Sequence, residues 1–254
     1  MKIIIIFMFV LISIILWKEY VKYEDYKNEP YITVRTGHNS GLNNRIQAIF
    51  SYLYKANKEG KKLRIIWVNS KHCPEDYKNL FEPIPNVEII YSKLIDEDIY
   101  DYDTAWKQNR EYLKTDCYKL LKPIKSIQIE IDIMIEKLQK PYIACHLRRT
   151  DGWNHNPYKK DRHTDEEYME FIDQYPTELN IYISTDCRIT QQKFIEKYAD
   201  RLIYKKIDDN NDIRQTSLQD AVKDMYICAD ATYFMRSPGT FSDTIMHLRY
   251  LNNK

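Results

Sequence analysis

The chain has 254 residues, 44% of them hydrophobic and 30% charged, enough to bury one large core or two small ones. Lysine and arginine total 38 against 37 aspartate and glutamate, so no global basic field exists to hold nucleic acid, and any anion site has to be local. The five cysteines form no C-x-x-C pair and no Cys/His cluster with zinc spacing, which argues against a structural metal.

Ile3 to Trp17 is an apolar run broken only by Ser13, a little shorter than the ~17 to 25 residues of a typical membrane-spanning helix. It has no polar face, and the Trp17-Lys18-Glu19-Tyr20 that closes it offers no small-residue cleavage site. Residues 1–19 therefore read as an uncleaved signal anchor, and residues 20–30 as a polar stem. Lysines on both sides of the run leave its orientation open.

Tyr31 to Arg35 reads as a strand, and the polar turn after it leads into a helix from about Asn44 to Asn57, whose Ile46, Ile49, Phe50 and Leu53 share one face. Leu63 to Val68 and Val87 to Tyr91 are further strands, so a parallel βαβ crossover is expected. No period is visible from Ser92 to Thr115, where Asp96-Glu97-Asp98 and Asp101-Tyr102-Asp103 read as solvated loop. The isoleucines of Ile124 to Leu138 alternate like a strand, but the length of the segment favours a helix.

The second half alternates more cleanly. Strands are expected at Tyr142 to Leu147, Ile181 to Thr185, Leu202 to Lys205 and Ala231 to Met235, and helices at Asp165 to Gln174, Ile189 to Tyr198, Ser217 to Cys228 and Thr240 to Leu251. Two Rossmann-like α/β lobes follow, residues 31–140 and 141–254, with a cleft between them; a single merged sheet is the alternative. Cys145 and Cys187 read as buried thiols, and Cys73 and Cys117 are available to pair in an oxidising compartment.

Four polar clusters fall at strand ends or helix starts: Gly41 to Arg45, His146 to Asp151, Thr185-Asp186 and Ser237 to Ser242. Strand carboxyl ends and helix amino ends are where an open α/β sheet binds anionic ligands. Ordinary helix capping by Thr240 or Ser242 is the simpler reading of the last cluster taken alone. Gly41 to Arg45 is neither a P-loop nor a G-x-G-x-x-G fingerprint, and Arg148-Arg149 lacks the companion motifs of a kinase.

Taken in order, His146-Leu147-Arg148-Arg149-Thr150-Asp151, Tyr182-Ile183-Ser184-Thr185-Asp186 and, after Asp224, Thr240-Phe241-Ser242 resemble the motif set of the GDP-fucose-dependent α-1,6- and protein O-fucosyltransferase superfamily; Gly41-Leu42-Asn43-Asn44-Arg45 resembles its N-terminal loop. The resemblance covers about Tyr31 to Val68 and Tyr142 to Leu251. It implies a GT-B-like fold and inverting transfer of fucose from GDP-fucose to a glycan or protein hydroxyl, with no metal and no cofactor beyond the donor. Arg148 would hold the β-phosphate, His146 would assist at the nucleotide, and Asp224 would contact guanine. Asp186 would support the pocket, Thr240, Phe241 and Ser242 would line it, and Asn43 and Asn44 would face it from the other lobe. Arg149 and Asp151 would brace their loop.

A glutamate follows this arginine motif in the α-1,6 branch, whereas here the chain reads Gly152-Trp153-Asn154-His155-Asn156, so His155, Asp161 and His163 are the candidates for the base. Together with the anchor, the resemblance implies a single-pass, type II protein of a secretory-pathway (Golgi/ER) or equivalent host membrane. The alternatives are an inactive nucleotide-sugar or glycan-binding protein of the same fold and a transferase using another nucleotide-sugar donor.

Overall fold

The computed structural model describes Ser13 and residues 31–37, 40–91, 101–102, 110–114, 116–150, 163–207 and 216–252. The expected anchor and stem lie outside these residues, as do Asp96 to Asp98, Asp151, His155 and Asp161. Among the described residues no helix is long and apolar enough to cross a membrane.

Two separate four-stranded sheets form, so the merged-sheet alternative does not hold. The first uses β1 (Tyr31–Arg35), β2 (Lys62–Trp67), β3 (Val87–Tyr91) and β4 (Asp101–Tyr102) in the order β3-β2-β1-β4. The second uses β5 (Ile143–Leu147), β6 (Ile181–Thr185), β7 (Leu202–Ile203) and β8 (Tyr233–Met235) in the order β7-β6-β5-β8. All pairings between these strands are parallel. The two orders are the same pattern: three strands laid down in one direction, then a fourth returning to the far side of the first. Each sheet therefore has a switch point, between β1 and β4 and between β5 and β8, where the chain leaves in opposite directions and opens a crevice. Asp101 and Tyr102, expected in a solvated loop, are the short β4 edge.

The helices are α1 (Leu42–Lys58), α2 (Lys125–Leu138), α3 (Asp165–Asp173), α4 (Arg188–Tyr198), α5 (Leu218–Asp230) and α6 (Thr240–Asn252). A three-ten turn at Tyr77–Asn79 lies between β2 and β3, and two more, Arg110–Lys114 and Cys117–Leu120, precede α2. The alternating isoleucines form the helix α2, which buries Ile127 and Ile131, four apart, and leaves Ile129 and Ile133 about half exposed. α2 packs on α5, where Glu130 meets Lys223 at 2.6 Å.

Period-2 alternation assigns the faces of the second sheet. Ile143, Cys145, Leu147, Ile181 and Ile183 enter one core with Tyr168, Ile172 and Phe194 of α3 and α4. Tyr142, Ala144 and Tyr182 point the other way, into a larger core shared with α1, β1, β2, α2, α5 and α6. The two halves are thus joined by common apolar packing. The helix α6 does much of this joining. It packs on α1 and buries Ile245 and Leu248 in the shared core. His247 stacks on Tyr118 at 4.7 Å, and Arg249 donates to the carbonyls of Cys228 and Ala231.

All five cysteines are free thiols, so Cys73 and Cys117 are not joined. Cys145 is buried, whereas Cys187, expected to be buried, is half-buried as the residue that precedes α4.

Candidate active site

A cleft of about 280 Å³ lies against the carboxyl ends of β5 and β6 and the amino ends of three helices, α1, α5 and α6. Asn43 and Asn44 reach it from α1, His146 and Arg148 from β5 and the turn after it, Thr185 and Asp186 from the end of β6, Asp224 from α5, and Thr240 and Phe241 from α6. Segments nearly 200 residues apart in sequence therefore meet around one space (Asn43 to Phe241).

Helix amino ends carry unpaired N–H groups and the positive end of the dipole. α1 starts after Gly41 and α4 after Cys187, both without a side-chain cap, and α6 starts directly after Gly239. By contrast α3, away from the cleft, has a complete capping box between Thr164 and Glu167, and α5 is capped by Ser217. Of the uncapped ends, those of α1 and α6 border the cleft and make it attractive to an anion.

Arg148 stands among these ends. Gly239 has φ +123°, a conformation that L side chains rarely adopt, and a Cβ there would sit 3.4 Å from Nη1 of Arg148. The guanidinium thus lies against the bend that opens α6, flanking the β5–β8 switch point. Its neighbour Arg149 is used differently. It donates to Asp165 from Nε and Nη2 at 3.1 and 2.9 Å and lies over the Tyr168 ring, while Lys193 takes the other oxygen of Asp165 at 2.7 Å. Burial pushes the Asp165 carboxyl up, but hydrogen bonds from Lys193 and Arg149 outweigh it and hold the group below the usual range. Arg149 braces the loop, as the sequence suggested.

Asp186 clamps the same turn. Its carboxylate accepts from the backbone N–H of Arg149 at 2.7 Å and of Thr150 at 3.3 Å, and from the Thr150 hydroxyl at 2.6 Å. Both its position on the cleft wall and its grip on the turn that carries Arg148 suit a supporting role.

His146 and Ser184 are register partners across β5 and β6 and share the cleft-facing side of the sheet. His146 Nδ1 lies 2.7 Å from Ser242 Oγ, and its ring packs on Phe241 at 4.6 Å. Burial, with Arg148, Arg149 and Arg236 nearby, lowers its pKa to about 3, so the imidazole is neutral near pH 7. Ser242 is fully buried behind His146. Its hydroxyl is spent on the ring, which removes the capping reading for this residue and puts it one layer behind the cleft wall.

Asp224 accepts from Tyr182 Oη at 2.5 Å and from Ser184 Oγ at 3.0 Å. Burial pushes the carboxyl up to about 7, against these hydrogen bonds, which hold it down. Asp224 is thus a buried, partnered carboxyl and not a solvated helix residue. Leu218 and Ala221, three residues apart and in turn three before Asp224, line the same wall with Thr216. The helical spacing from Asp224 was the signal that would have found them.

On the opposite wall Asn43 and Asn44 have buried side-chain oxygens without a hydrogen-bond partner, an arrangement suited to a ligand's donors. Arg45, the last residue of that cluster, faces away. It is fully buried over the Trp67 ring and donates to the carbonyls of Ser40, Val68 and Gly37 and to the Ser70 hydroxyl. His163 lies 3.7 Å from Glu167 and edge-on to Tyr168, and is not among the residues lining the cleft. Among the described residues no group of three or more His, Cys, Asp or Glu side chains is arranged to hold a metal ion.

No protein-family model matches the chain, and no curated protein sequence matches it. Solved structures do. NodZ alpha-1,6-fucosyltransferase soaked with GDP-fucose superposes with a TM-score of 0.60 at 16% identity, over 87% of this chain and 93% of that one. Fucosyltransferase NodZ from Bradyrhizobium gives a TM-score of 0.60 at 15% identity, over 86% and 92%. POFUT1 in complex with GDP gives 0.57 at 12% identity, over 86% and 94%. The chain therefore shares the mixed α/β fold with parallel sheets of these fucosyltransferases.

Proposed function

We propose that the chain is an inverting glycosyltransferase that moves L-fucose from GDP-fucose to a hydroxyl of a glycan or protein. The observation that carries this reading is the convergence of Asn43, Asn44, His146, Arg148, Asp186, Asp224, Thr240 and Phe241 on one cleft, in a fold shared with structures solved with GDP and GDP-fucose.

The chemistry follows from the wall. As the bond from the sugar to the diphosphate breaks, negative charge grows on the leaving oxygen. Arg148 and the uncapped ends of α1 and α6 stabilise that charge. Neutral His146 hydrogen-bonds the donor and adds no further charge. Asp224 accepts from the guanine edge with lone pairs left over from Tyr182 and Ser184. Inversion then needs one base for the acceptor hydroxyl. Among the described residues of the cleft wall the two carboxylates, Asp186 and Asp224, are engaged with protein donors. We assign the base to the segment after Thr150, where the sequence offers His155 and Asp161 as the candidates. Residues 1–19 are read as the anchor that tethers this transferase to a membrane.

Titration calorimetry of the purified chain with GDP, UDP and ADP, paired with a GDP-release assay on GDP-fucose and other nucleotide sugars, tests the reading. Preferential GDP binding and GDP release from GDP-fucose are expected. Folded protein that binds no guanine nucleotide would overturn the proposal, and GDP binding without release would reduce it to a binding protein.

A further inference from the structure

Asp224 is held from behind by β6. Tyr182 and Ser184 are two residues apart on that strand and so point to the same side of the sheet. The phenol donates to Oδ1 of Asp224 at 2.5 Å and the serine hydroxyl to Oδ2 at 3.0 Å, one donor for each carboxylate oxygen. Tyr182 lies in the shared core and does not line the cleft, whereas Ser184 and Asp224 border it. Each hydroxyl has a single proton and directs it to the carboxylate. Burial, with Asp224 beside it, raises the Tyr182 phenol well above its ordinary value, so it stays a donor.

An ionised carboxylate has about four lone-pair positions, so two remain, one on each oxygen. That pair of acceptors matches guanine, whose N1–H and N2–H groups are adjacent donors. Adenine presents a donor, N6–H, beside an acceptor, N1, and matches a protonated acid, which has one O–H and one carbonyl oxygen. The protonation state of Asp224 therefore decides which purine fits. Burial pushes this carboxyl up, the two hydroxyls pull it down, and Asp220 and Lys223 act in opposite directions with smaller effect, leaving it at about 7. The charged neighbours are engaged elsewhere. On α5, Asp220 pairs with Lys205, and Lys223 pairs with Asp220 at 2.7 Å and with Glu130 of α2 at 2.6 Å. Burial and Asp224 itself keep Cys228, one turn along α5, a thiol. His146 of β5 is neutral, Arg148 lies against the Gly239 bend, Asp186 grips Thr150, and Arg249 of α6 donates to backbone carbonyls. The hydroxyls of β6 are thus the direct partners of Asp224, and both favour its anion.

We propose that Tyr182 and Ser184 are positioning residues for the nucleotide base: by donating to both oxygens they hold Asp224 in the two-acceptor form that selects guanine over adenine. The inference rests on the guanine contact assigned to Asp224 under the proposed function and extends it to a tyrosine that acts from within the core.

The test is titration of the full chain with GDP and with ADP as its competitor, from about pH 5.5 to about pH 9, for the wild type, Tyr182→Phe, Ser184→Ala and Asp224→Asn. The diphosphate's own titration is common to both nucleotides and cancels in their ratio. In the wild type the preference for GDP should fall as pH drops below about 7, by up to about tenfold per unit. Tyr182→Phe should move the midpoint of that fall up by about one unit and cut the preference at pH 7 about fivefold, because the lost hydrogen bond favoured the anion. Ser184→Ala should shift it in the same direction by less, and Asp224→Asn should abolish the pH dependence. A merely loosened wall would weaken both nucleotides together and leave the midpoint in place. Wild-type midpoint and ratio in both hydroxyl variants, a pH dependence that survives in Asp224→Asn, or equal binding of GDP and ADP by the wild type would overturn the proposal. Failure of the donor reading shows separately, as folded wild-type protein that binds no GDP, and would remove this inference with it.

Discussion

Arg45 and Arg148 occupy equivalent places in the two halves, each beside the turn that follows the first strand of its sheet, and they are spent in opposite ways. Arg45 is sealed in the core and its donors are consumed by the carbonyls of its own loop. Arg148 lines the cleft against the bend at Gly239, while the clamp from Asp186 and the pairing of Arg149 with Asp165 hold its turn in shape. The first half contributes a rigid wall with two amide oxygens, and the second contributes the charge. A guanidinium in a motif is therefore read by where it lies, sealed in the core as at Arg45 or on the cleft wall as at Arg148.

Substitution should separate these two uses. Arg148→Ala is expected to cut GDP-fucose turnover by about 10²- to 10³-fold, the usual cost of one transition-state contact. Its midpoint in urea should stay near that of the wild type, and Arg148→Lys should rescue little, because lysine lacks the forked donors. A variant that kept its turnover would erase the contrast. Arg45→Ala should do the reverse, costing about 3 kcal/mol in urea unfolding as several buried acceptors lose their donor. Unchanged stability there would mean that the loop does not need its arginine.

A pH series sharpens the picture for the two titrating residues of the charged half. Asp224 binds its proton more tightly folded than unfolded, so its stabilising contribution is complete below about pH 4 and is lost as pH rises through about 7. His146 is the opposite case. Its contribution is complete above about pH 6.5 and declines as pH falls towards 3. Between these limits the two slopes cancel. Asp224→Asn should therefore steepen the loss of stability on acidification, by at most about 1.4 kcal/mol per pH unit, and His146→Gln should give stability that falls as pH rises. Parallel pH profiles of the three proteins, measured by urea unfolding, would contradict both assignments. The smallest effect is expected from EDTA. With Arg148 and the ends of α1 and α6 neutralising the diphosphate, chelation should leave GDP release unchanged, and a rate that vanished and returned with Mg²⁺ would move that role to an ion.

Much of this arrangement was legible in the residues. Runs such as Ile181 to Thr185 and faces such as Ile46, Ile49, Phe50 and Leu53 report burial directly, and the polar clusters at the ends of such runs identified the cleft wall. What escaped was information carried by neighbours in space. β4 is two residues long and too short to have a period. The isoleucines of α2 suggested alternation, because Ile129 and Ile133 are left in solvent. The sequence around Arg45 does not show that its guanidinium turns inward, because that is set by how the loop folds Gly37 and Ser40 back over it and brings Val68 across from β2. Ser242 belongs to a motif, but its hydroxyl meets a ring 96 residues away. The matching order of the two sheets leaves no repeated sequence, because topology constrains which strands touch and not which side chains they carry.

The packing of α6 also limits how the molecule can move. One end of this helix opens on the cleft, and its body packs on α1 and α5 and sinks Ile245 and Leu248 into the shared core. A wide jaw-like opening about residues 139–141 would strip both side chains from that core, at roughly 1.5–3 kcal/mol each. Slight sliding of α6 along its neighbours leaves them covered, so shear is the inexpensive motion left to this wall of the cleft.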